Sequence, residues 1–264
     1  MTAIALSIAG SDSSGGAGIE ADLKTFSALG VYGACVVTAL TAQNTKGVSA
    51  IQAVAADLVA AQLDAVFSDL DIGAVKIGML ANAAVVEAVA AGLPRHNACN
   101  VVLDPIMAAS SGAELLRADA IEALRLLVRQ ARVFTPNLFE AAALLEVPMA
   151  KDEEEMQAQA RELLTLGADA VLIKGGHGGG VESVDLLVDG DGATRLAAPR
   201  IATRNTHGTG CTLASAIAAG LAKGLLLSDA VAEAKAYVTA AIAAADRLTV
   251  GTGRGPLHHF HKWW

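Results

Sequence analysis

The stretch Asn205-Thr206-His207-Gly208-Thr209-Gly210-Cys211 runs directly into residues 212–222, a run rich in alanine and leucine with one glycine. That composition favours helix strongly. The stretch therefore reads as a loop opening a long helix, with two glycines at its mouth. Glycine lets a ligand approach bare backbone. The first N–H groups of a helix lack intrahelical acceptors, and the helix dipole favours negative charge there. Gly208 and Gly210 thus mark a candidate anion cradle. Cys211 falls in the first turn, where a thiol has its ionised form favoured, so it is a candidate base or nucleophile. Taken alone, the stretch also fits a glycine-containing loop beside a small buried cysteine.

Outward from that helix, short β-branched runs alternate with longer helical patterns. Strands are expected at 4–9, 35–40, 74–78, 100–103, 132–135 and 170–174. Helices are expected at 19–29, 57–67, 82–91, 113–130, 137–146 and 152–166. The strands are nearly all apolar, as in a parallel sheet covered on both faces. Residues 184–188 and 193–197 flank Asp189-Gly190-Asp191-Gly192 and read as a hairpin. Two further helices, 209–222 and 228–248, close the chain. The expectation is an α/β fold: a doubly wound, mostly parallel sheet with helices on both faces, as a single domain over 1–264.

Composition limits the function classes. Of 264 residues, 53% are hydrophobic and 17% charged, which suits a well-packed body rather than a disordered chain. A net charge of −8 argues against a nucleic-acid surface, which would need a basic footprint. It leaves room for phosphate ligands, because a cradle of backbone N–H groups works within an acidic protein. No apolar stretch reaches a membrane span, and Met1–Ile4 lacks the basic start of a signal peptide. Cys35, Cys99 and Cys211 show no paired spacing, which fits reduced thiols in cytoplasm. Cys35 and Cys99, in or beside apolar runs, are expected to be inert core residues.

In doubly wound sheets, ligands bind beyond the carboxyl ends of the strands. Gly10, Gln43, Met79, Asp104 and Asn137 each follow one of the first five strands, so distant segments converge on one edge. Gln43 offers both a donor and an acceptor to a flat heterocycle. Met79 is either core packing or a soft wall against a ring. Asn137 and Glu140 have capping-box spacing. Lys174, before Gly175-Gly176, either snorkels or delivers an ammonium to phosphates. No GxxxxGK[ST] occurs, so a P-loop is not expected.

Further fragments are Ala9-Gly10-Ser11-Asp12-Ser13-Ser14-Gly15-Gly16-Ala17-Gly18-Ile19, then Thr38-Ala39-Leu40-Thr41-Ala42-Gln43-Asn44-Thr45 and Lys76-Ile77-Gly78-Met79-Leu80. After them come Asp104-Pro105-Ile106-Met107, Thr135-Pro136-Asn137-Leu138 and Lys174-Gly175-Gly176-His177. In this order, with Asn205–Cys211, they closely resemble hydroxymethylpyrimidine/phosphomethylpyrimidine kinases of the ribokinase-like superfamily. The resemblance implies an ATP- and Mg²⁺-dependent kinase of thiamine biosynthesis, built as a single kinase domain and working as a homodimer. Its acceptor would be 4-amino-5-hydroxymethyl-2-methylpyrimidine and then the monophosphate.

On that resemblance, Gln43, Asp22, Met79, Gly10 and Ile106 would hold the pyrimidine, Asp22 as acceptor for its amino group. A solvated helix carboxylate is the other reading of Asp22. Asp104, Asn137, Lys174, Thr206 and Thr209 would hold the nucleotide, with Asp104 and Glu140 meeting Mg²⁺ mainly through water. Gly208 and Gly210 would receive the transferring phosphoryl group, with Cys211 as base. The first acceptor is a neutral hydroxyl, whereas the second is an ionised phosphate that needs no base. One departure stands out: Ala108-Ala109-Ser110-Ser111-Gly112 lacks the lysine common before Ser-Gly in the family. A pyridoxal kinase is the nearest rival, and a non-catalytic pyrimidine sensor a more distant one. His177 and His207 flank the phosphate region without metal-ligand spacing. The run 257–264, rich in His and Trp, is expected to pack on the body.

Overall fold

The computed structural model describes residues 1–107, 119–176 and 179–264. In chain order the elements begin β1 (Ile4–Asp12), α1 (Gly18–Ala28), β2 (Tyr32–Asn44), β3 (Gly47–Ala53), α2 (Ala56–Phe67) and β4 (Ala74–Ile77). Then come α3 (Ala83–Arg95), β5 (Val101–Leu103), α4 (Asp119–Val128), β6 (Val133–Phe134), α5 (Leu138–Leu145) and α6 (Glu153–Leu164). The chain continues through β7 (Ala170–Lys174), β8 (Glu182–Asp189), β9 (Ala193–Pro199), α7 (Thr209–Ala222) and α8 (Leu227–Ala243).

The strands form one nine-stranded sheet in the order β3-β2-β1-β4-β5-β6-β7-β8-β9. The six from β2 to β7 are parallel to one another. Antiparallel strands finish both ends, β3 on β2 and the β8–β9 hairpin on β7. Alternating side chains serve opposite faces of the sheet. Leu6, Ile8, Val75 and Ile77 face α2 to α6, in one core with Leu63, Val86, Leu127 and Leu163. Ala5, Ala74, Val102 and Ala170 face the other way, toward Phe26, Ile217 and Val231 of α1, α7 and α8. The small residues on this second face let the alanine-rich α7 lie close to the sheet. A Cβ on Gly220 would sit 2.8 Å from Ala230 Cβ, so α7 and α8 also approach closely.

The doubly wound, mostly parallel α/β arrangement is the one expected. Strand β3 was not anticipated; its residues are half-buried or exposed and lack the apolar density of the central strands. With it β2 extends to Asn44, which raises Thr41 and Gln43 on a two-stranded ribbon above the sheet's end. The final helix stops at Ala243 and gives way to a 3₁₀ turn over Ala245–Arg247. Of the helix expected at 113–130, the described part is α4; the Ala108–Gly112 departure with Ser110, and His177, lie outside the described residues. The assignment of Cys35 and Cys99 to the core fails: Cys35 is half-buried and Cys99 exposed. Cys99 precedes β5 in the turn where Asn100 takes φ 50°, and its sulfur faces the Gly73 carbonyl at 3.5 Å.

Candidate functional site

At the carboxyl ends of the parallel strands lies a cavity of about 690 Å³. Gly10, Gln43, Met79 and Ile106 line one part of it. Asp104, Asn137, Glu140 and Lys174 line another, and Thr206, Gly208, Thr209, Gly210 and Cys211 complete the wall. Thirteen of the fourteen positions singled out from sequence thus meet in one space. Asp22 is the exception.

The mouth of α7 is held by backbone fit. Gly208 takes φ 83°, and a Cβ there would lie 1.9 Å from Gly16 O. Only glycine allows this contact between the first and last loops of the site. The Thr209 hydroxyl donates to Thr206 O at 2.7 Å, and the Thr209 amide donates to the same oxygen at 3.3 Å. By helix geometry the Gly210 and Cys211 N–H groups have no intrahelical acceptor.

The expected ionised thiol is corrected by the structure. Cys211 is buried, and burial pushes its thiol up to about 11; the Lys76 ammonium opposes this, while Asp22 and Asp104 add to it. Desolvation therefore outweighs the helix N-terminus, and the resting group is the neutral thiol.

Asp104 and Lys174 form the charged centre. Lys174 Nζ lies 2.5 Å from Asp104 Oδ1 and 3.9 Å from Glu140 Oε2. A Cβ on Gly210 would touch both groups, 3.4 Å from Nζ and 3.5 Å from Asp104 Oδ2, so the pair sits against the mouth of α7. Asn137 and Glu140 make the reciprocal capping box on α5: Glu140 N donates to Asn137 Oδ1 at 2.9 Å, and Asn137 N donates to Glu140 Oε2 at 2.8 Å. Burial raises the Glu140 carboxyl to about 7, aided by Asp104 and opposed by Lys174. Two carboxylates with an ammonium between them do not make a closed metal cage, and the described residues contain no cluster of three metal-ligating side chains. They do fit a cation that keeps most of its water and takes one or two carboxylates, which is the habit of Mg²⁺.

Asp22 does not reach the cavity. It is fully buried beneath the floor and accepts from Lys76 Nζ at 2.8 and 3.0 Å, Ser7 Oγ at 2.6 Å and Ser215 Oγ at 2.7 Å. Both oxygens are occupied by α7, β1 and β4 partners, so neither the substrate-acceptor nor the solvated reading survives. A Cβ on Gly78 would lie 2.8 Å from Lys76 Nζ, which places the ammonium directly under the site.

Several lining residues carried no decisive sequence signal. Asp12 closes β1 and is wholly engaged: its Oδ1 accepts from Ser14 N and Oγ, and its Oδ2 accepts from Gly16 N and Ala17 N. His207 Nε2 adds a contact to Oδ2 at 2.7 Å. Burial raises the Asp12 pKa, but the hydrogen bonds from His207 and Ser14 prevail and hold the carboxyl below its ordinary value. The Gly-Ser-Asp run after a strand could have pointed to Asp12. Lys235 and Asp185 pair at 2.7 Å across fifty positions, and Asp185 accepts from Gly175 N beside Lys174. Nothing local in the sequence announces that pair. Of the terminal run, Leu257, His258 and His259 pack on the body as expected, whereas Trp263 and Trp264 are exposed. Tyr237 Oη donates to His259 O at 2.8 Å, and burial lowers the His259 ring to about 4.

A six-stranded parallel centre with antiparallel ends, a glycine mouth on α7 and an acid–lysine pair beside it are the marks of a ribokinase-like small-molecule kinase. The family model of phosphomethylpyrimidine kinase matches residues 12–258, and the chain belongs to that family. Hydroxymethylpyrimidine/phosphomethylpyrimidine kinase of Rhizobium meliloti (strain 1021) is 62% identical over 265 residues, covering 100% of this chain and 99% of the relative. The crystal structure of phosphomethylpyrimidine kinase from Clostridium difficile 630 superimposes with a TM-score of 0.80 at 42% identity, covering 90% of this chain and 99% of that one. The ADP complex of Bacillus subtilis pyridoxal kinase gives a TM-score of 0.90 at 37% identity, over 98% of each chain.

Proposed function

We propose that this chain transfers the γ-phosphoryl group of ATP to 4-amino-5-hydroxymethyl-2-methylpyrimidine, and then to the monophosphate, making the diphosphate for thiamine. The observation that carries the reading is the meeting of Gln43 and Met79 with Lys174, Asp104 and the mouth of α7 in one cavity. The ring end offers Gln43 for polar edges and Met79 as a soft wall, whose sulfur lies 3.0 Å from where a Gly10 Cβ would be. Gly10 therefore leaves room for the Met79 sulfur at the cavity wall, and Ile106 supplies apolar contact.

At the phosphate end the N–H groups of Gly210 and Cys211, with the Lys174 ammonium, meet developing negative charge on the phosphoryl oxygens. Phosphoryl transfer needs little more from a protein than such positioning and charge. Asn137, Thr206 and Thr209 hold the nucleotide. Asp104 and Glu140 would hold Mg²⁺ through water, and the ion supplies charge neutralisation on the phosphates. In the first transfer the base is the minor thiolate form of Cys211, which has released its own proton and takes that of the neutral hydroxymethyl group as a thiol; the second transfer has no such proton to move.

The unbroken sheet supports a single domain over 1–264. Exposed Leu40 and Ile51 on the β2–β3 ribbon support a homodimer, and unpaired thiols with a net charge of −8 support a cytoplasmic setting. No helix among the described residues is long and apolar enough to cross a membrane. The test is ATP consumption with Mg²⁺ and four acceptors in parallel: hydroxymethylpyrimidine, its monophosphate, pyridoxal and ribose. Turnover of both pyrimidines with ribose silent is expected. Turnover of pyridoxal alone would overturn the substrate, and pyrimidine binding without turnover would make the chain a sensor.

A further inference from the structure

Asp12, His207, Gln43 and Thr41 form a chain of hydrogen bonds at the substrate end, and its polarity follows from donor and acceptor chemistry. His207 Nε2 stands 2.7 Å from Asp12 Oδ2 and 3.3 Å from the near atom of the Gln43 side-chain amide. An ionised carboxylate only accepts, so His207 Nε2 carries the hydrogen. An amide nitrogen facing that hydrogen would set two donors against each other. Amide oxygen and nitrogen exchange by a half-turn that leaves the shape unchanged. That half-turn brings Gln43 Oε1 toward His207 and Nε2 toward Thr41 Oγ1, across the 3.2 Å contact on the amide's other side. Thr41 already donates to Ser11 O at 2.9 Å, so its oxygen accepts from the amide. The single Nε2 hydrogen points mainly at Asp12, and the Gln43 oxygen at 3.3 Å takes the weaker arm of that shared contact, while the amide N–H meets Thr41 Oγ1.

The chain is anchored where it is rigid. Asp12 and His207 are buried, and Asp12 is held by the loop amides described above. A Cβ on Gly16 would lie 2.5 Å from His207 Cδ2, so the ring occupies a slot that only glycine leaves open. Gln43 itself is half-buried on the β2–β3 ribbon.

We infer that His207, oriented by Asp12, is a positioning residue that fixes which way the Gln43 amide faces, and so gives the site its preference for an aminopyrimidine over a pyridine. This rests on Gln43 reading the ring, as proposed above. The pinned amide keeps one N–H and one oxygen lone pair for the substrate. An aminopyrimidine edge, an amino donor beside a ring nitrogen, matches both at once. Pyridoxal has no amino group to give the oxygen, and a pinned amide cannot turn to suit it. A freed amide can.

The test is the ratio of kcat/KM for hydroxymethylpyrimidine to that for pyridoxal, in His207→Ala, His207→Gln, Gln43→Ala and the Gln43→Ala/His207→Ala double variant. His207→Ala is expected to narrow the ratio by about threefold, the worth of a hydrogen bond at the weak end of the usual range. The change should lie mainly in KM for the pyrimidine. His207→Gln, which keeps an N–H donor, should recover part of the ratio. The double variant should match Gln43→Ala, because the two residues act through one amide. Equal losses for both acceptors in His207→Ala, or additive effects on the ratio, would overturn the inference and leave His207 as a support of the Gly208 loop. If Gln43→Ala itself leaves the ratio unchanged, the reading of Gln43 fails first. Thermal unfolding of each variant shows whether a loss reflects the site or the fold.

Discussion

Replacing Cys211 by alanine should separate the two phosphorylations. The thiol titrates at about 11 in its buried setting, so at pH 8 roughly one molecule in a thousand carries thiolate. That small fraction limits a step that must remove a hydroxyl proton. The first transfer should therefore speed up by about tenfold per pH unit between pH 7 and 9. A phosphate acceptor with its second pKa near 6 is about 99% ionised at pH 8 and gains nothing from a base. Cys211→Ala should slow the first transfer by roughly 100-fold or more, the usual worth of a general base, and abolish its pH slope. The second transfer should change little. Initial rates of ATP consumption, with each acceptor offered separately across that pH range, read both effects. A flat profile for the first transfer in the parent protein, or equal losses in the two steps, would refute the reasoning and leave Cys211 as packing in the first turn of α7.

Three other outcomes follow from the geometry. Gly208→Ala puts a Cβ 1.9 Å from Gly16 O at φ 83°, so it should abolish turnover of both acceptors and lower the thermal midpoint, whereas a neutral result would deny the loop clasp. Lys76→Met strips the buried Asp22 carboxyl of its cation, a loss of about 3–5 kcal/mol in urea unfolding, and Lys76→Met with Asp22→Asn should recover much of it. Glu140 ionises near its ordinary 4.5 when unfolded but at about 7 when folded. The native state thus binds the extra proton between those values, and its stability should fall as pH rises through that window, by up to about 1.4 kcal/mol per pH unit. Glu140→Gln should flatten that slope in denaturant titrations at pH 5 to 7.5.

The fold was legible because the central strands are short and apolar, and because helical periods between them are long. Residues that follow strands directly, such as Gly10, Asp104 and Asn137, could be placed at one edge by topology alone. Strand β3 escaped because an exposed edge ribbon needs no apolar density. Asp22 was misread because its position in α1 says nothing of Ser7, Lys76 and Ser215, which reach it from three other elements. The thiol was misread for a related reason. A helix start is visible in sequence, but the depth at which it is buried is not, and burial decides the protonation of Cys211. His207 looked like a bystander until its neighbours across 195 positions came into view. Charged groups inside a fold take their roles from long-range partners, and local patterns do not show them.

The measurement that bears most directly on the whole account is a product time course by mass spectrometry, starting from hydroxymethylpyrimidine, ATP and Mg²⁺. The account predicts that the monophosphate rises first and then gives way to the diphosphate, with one ATP consumed per phosphoryl group. No phosphorylated pyrimidine, while pyridoxal is converted under the same conditions, would contradict it.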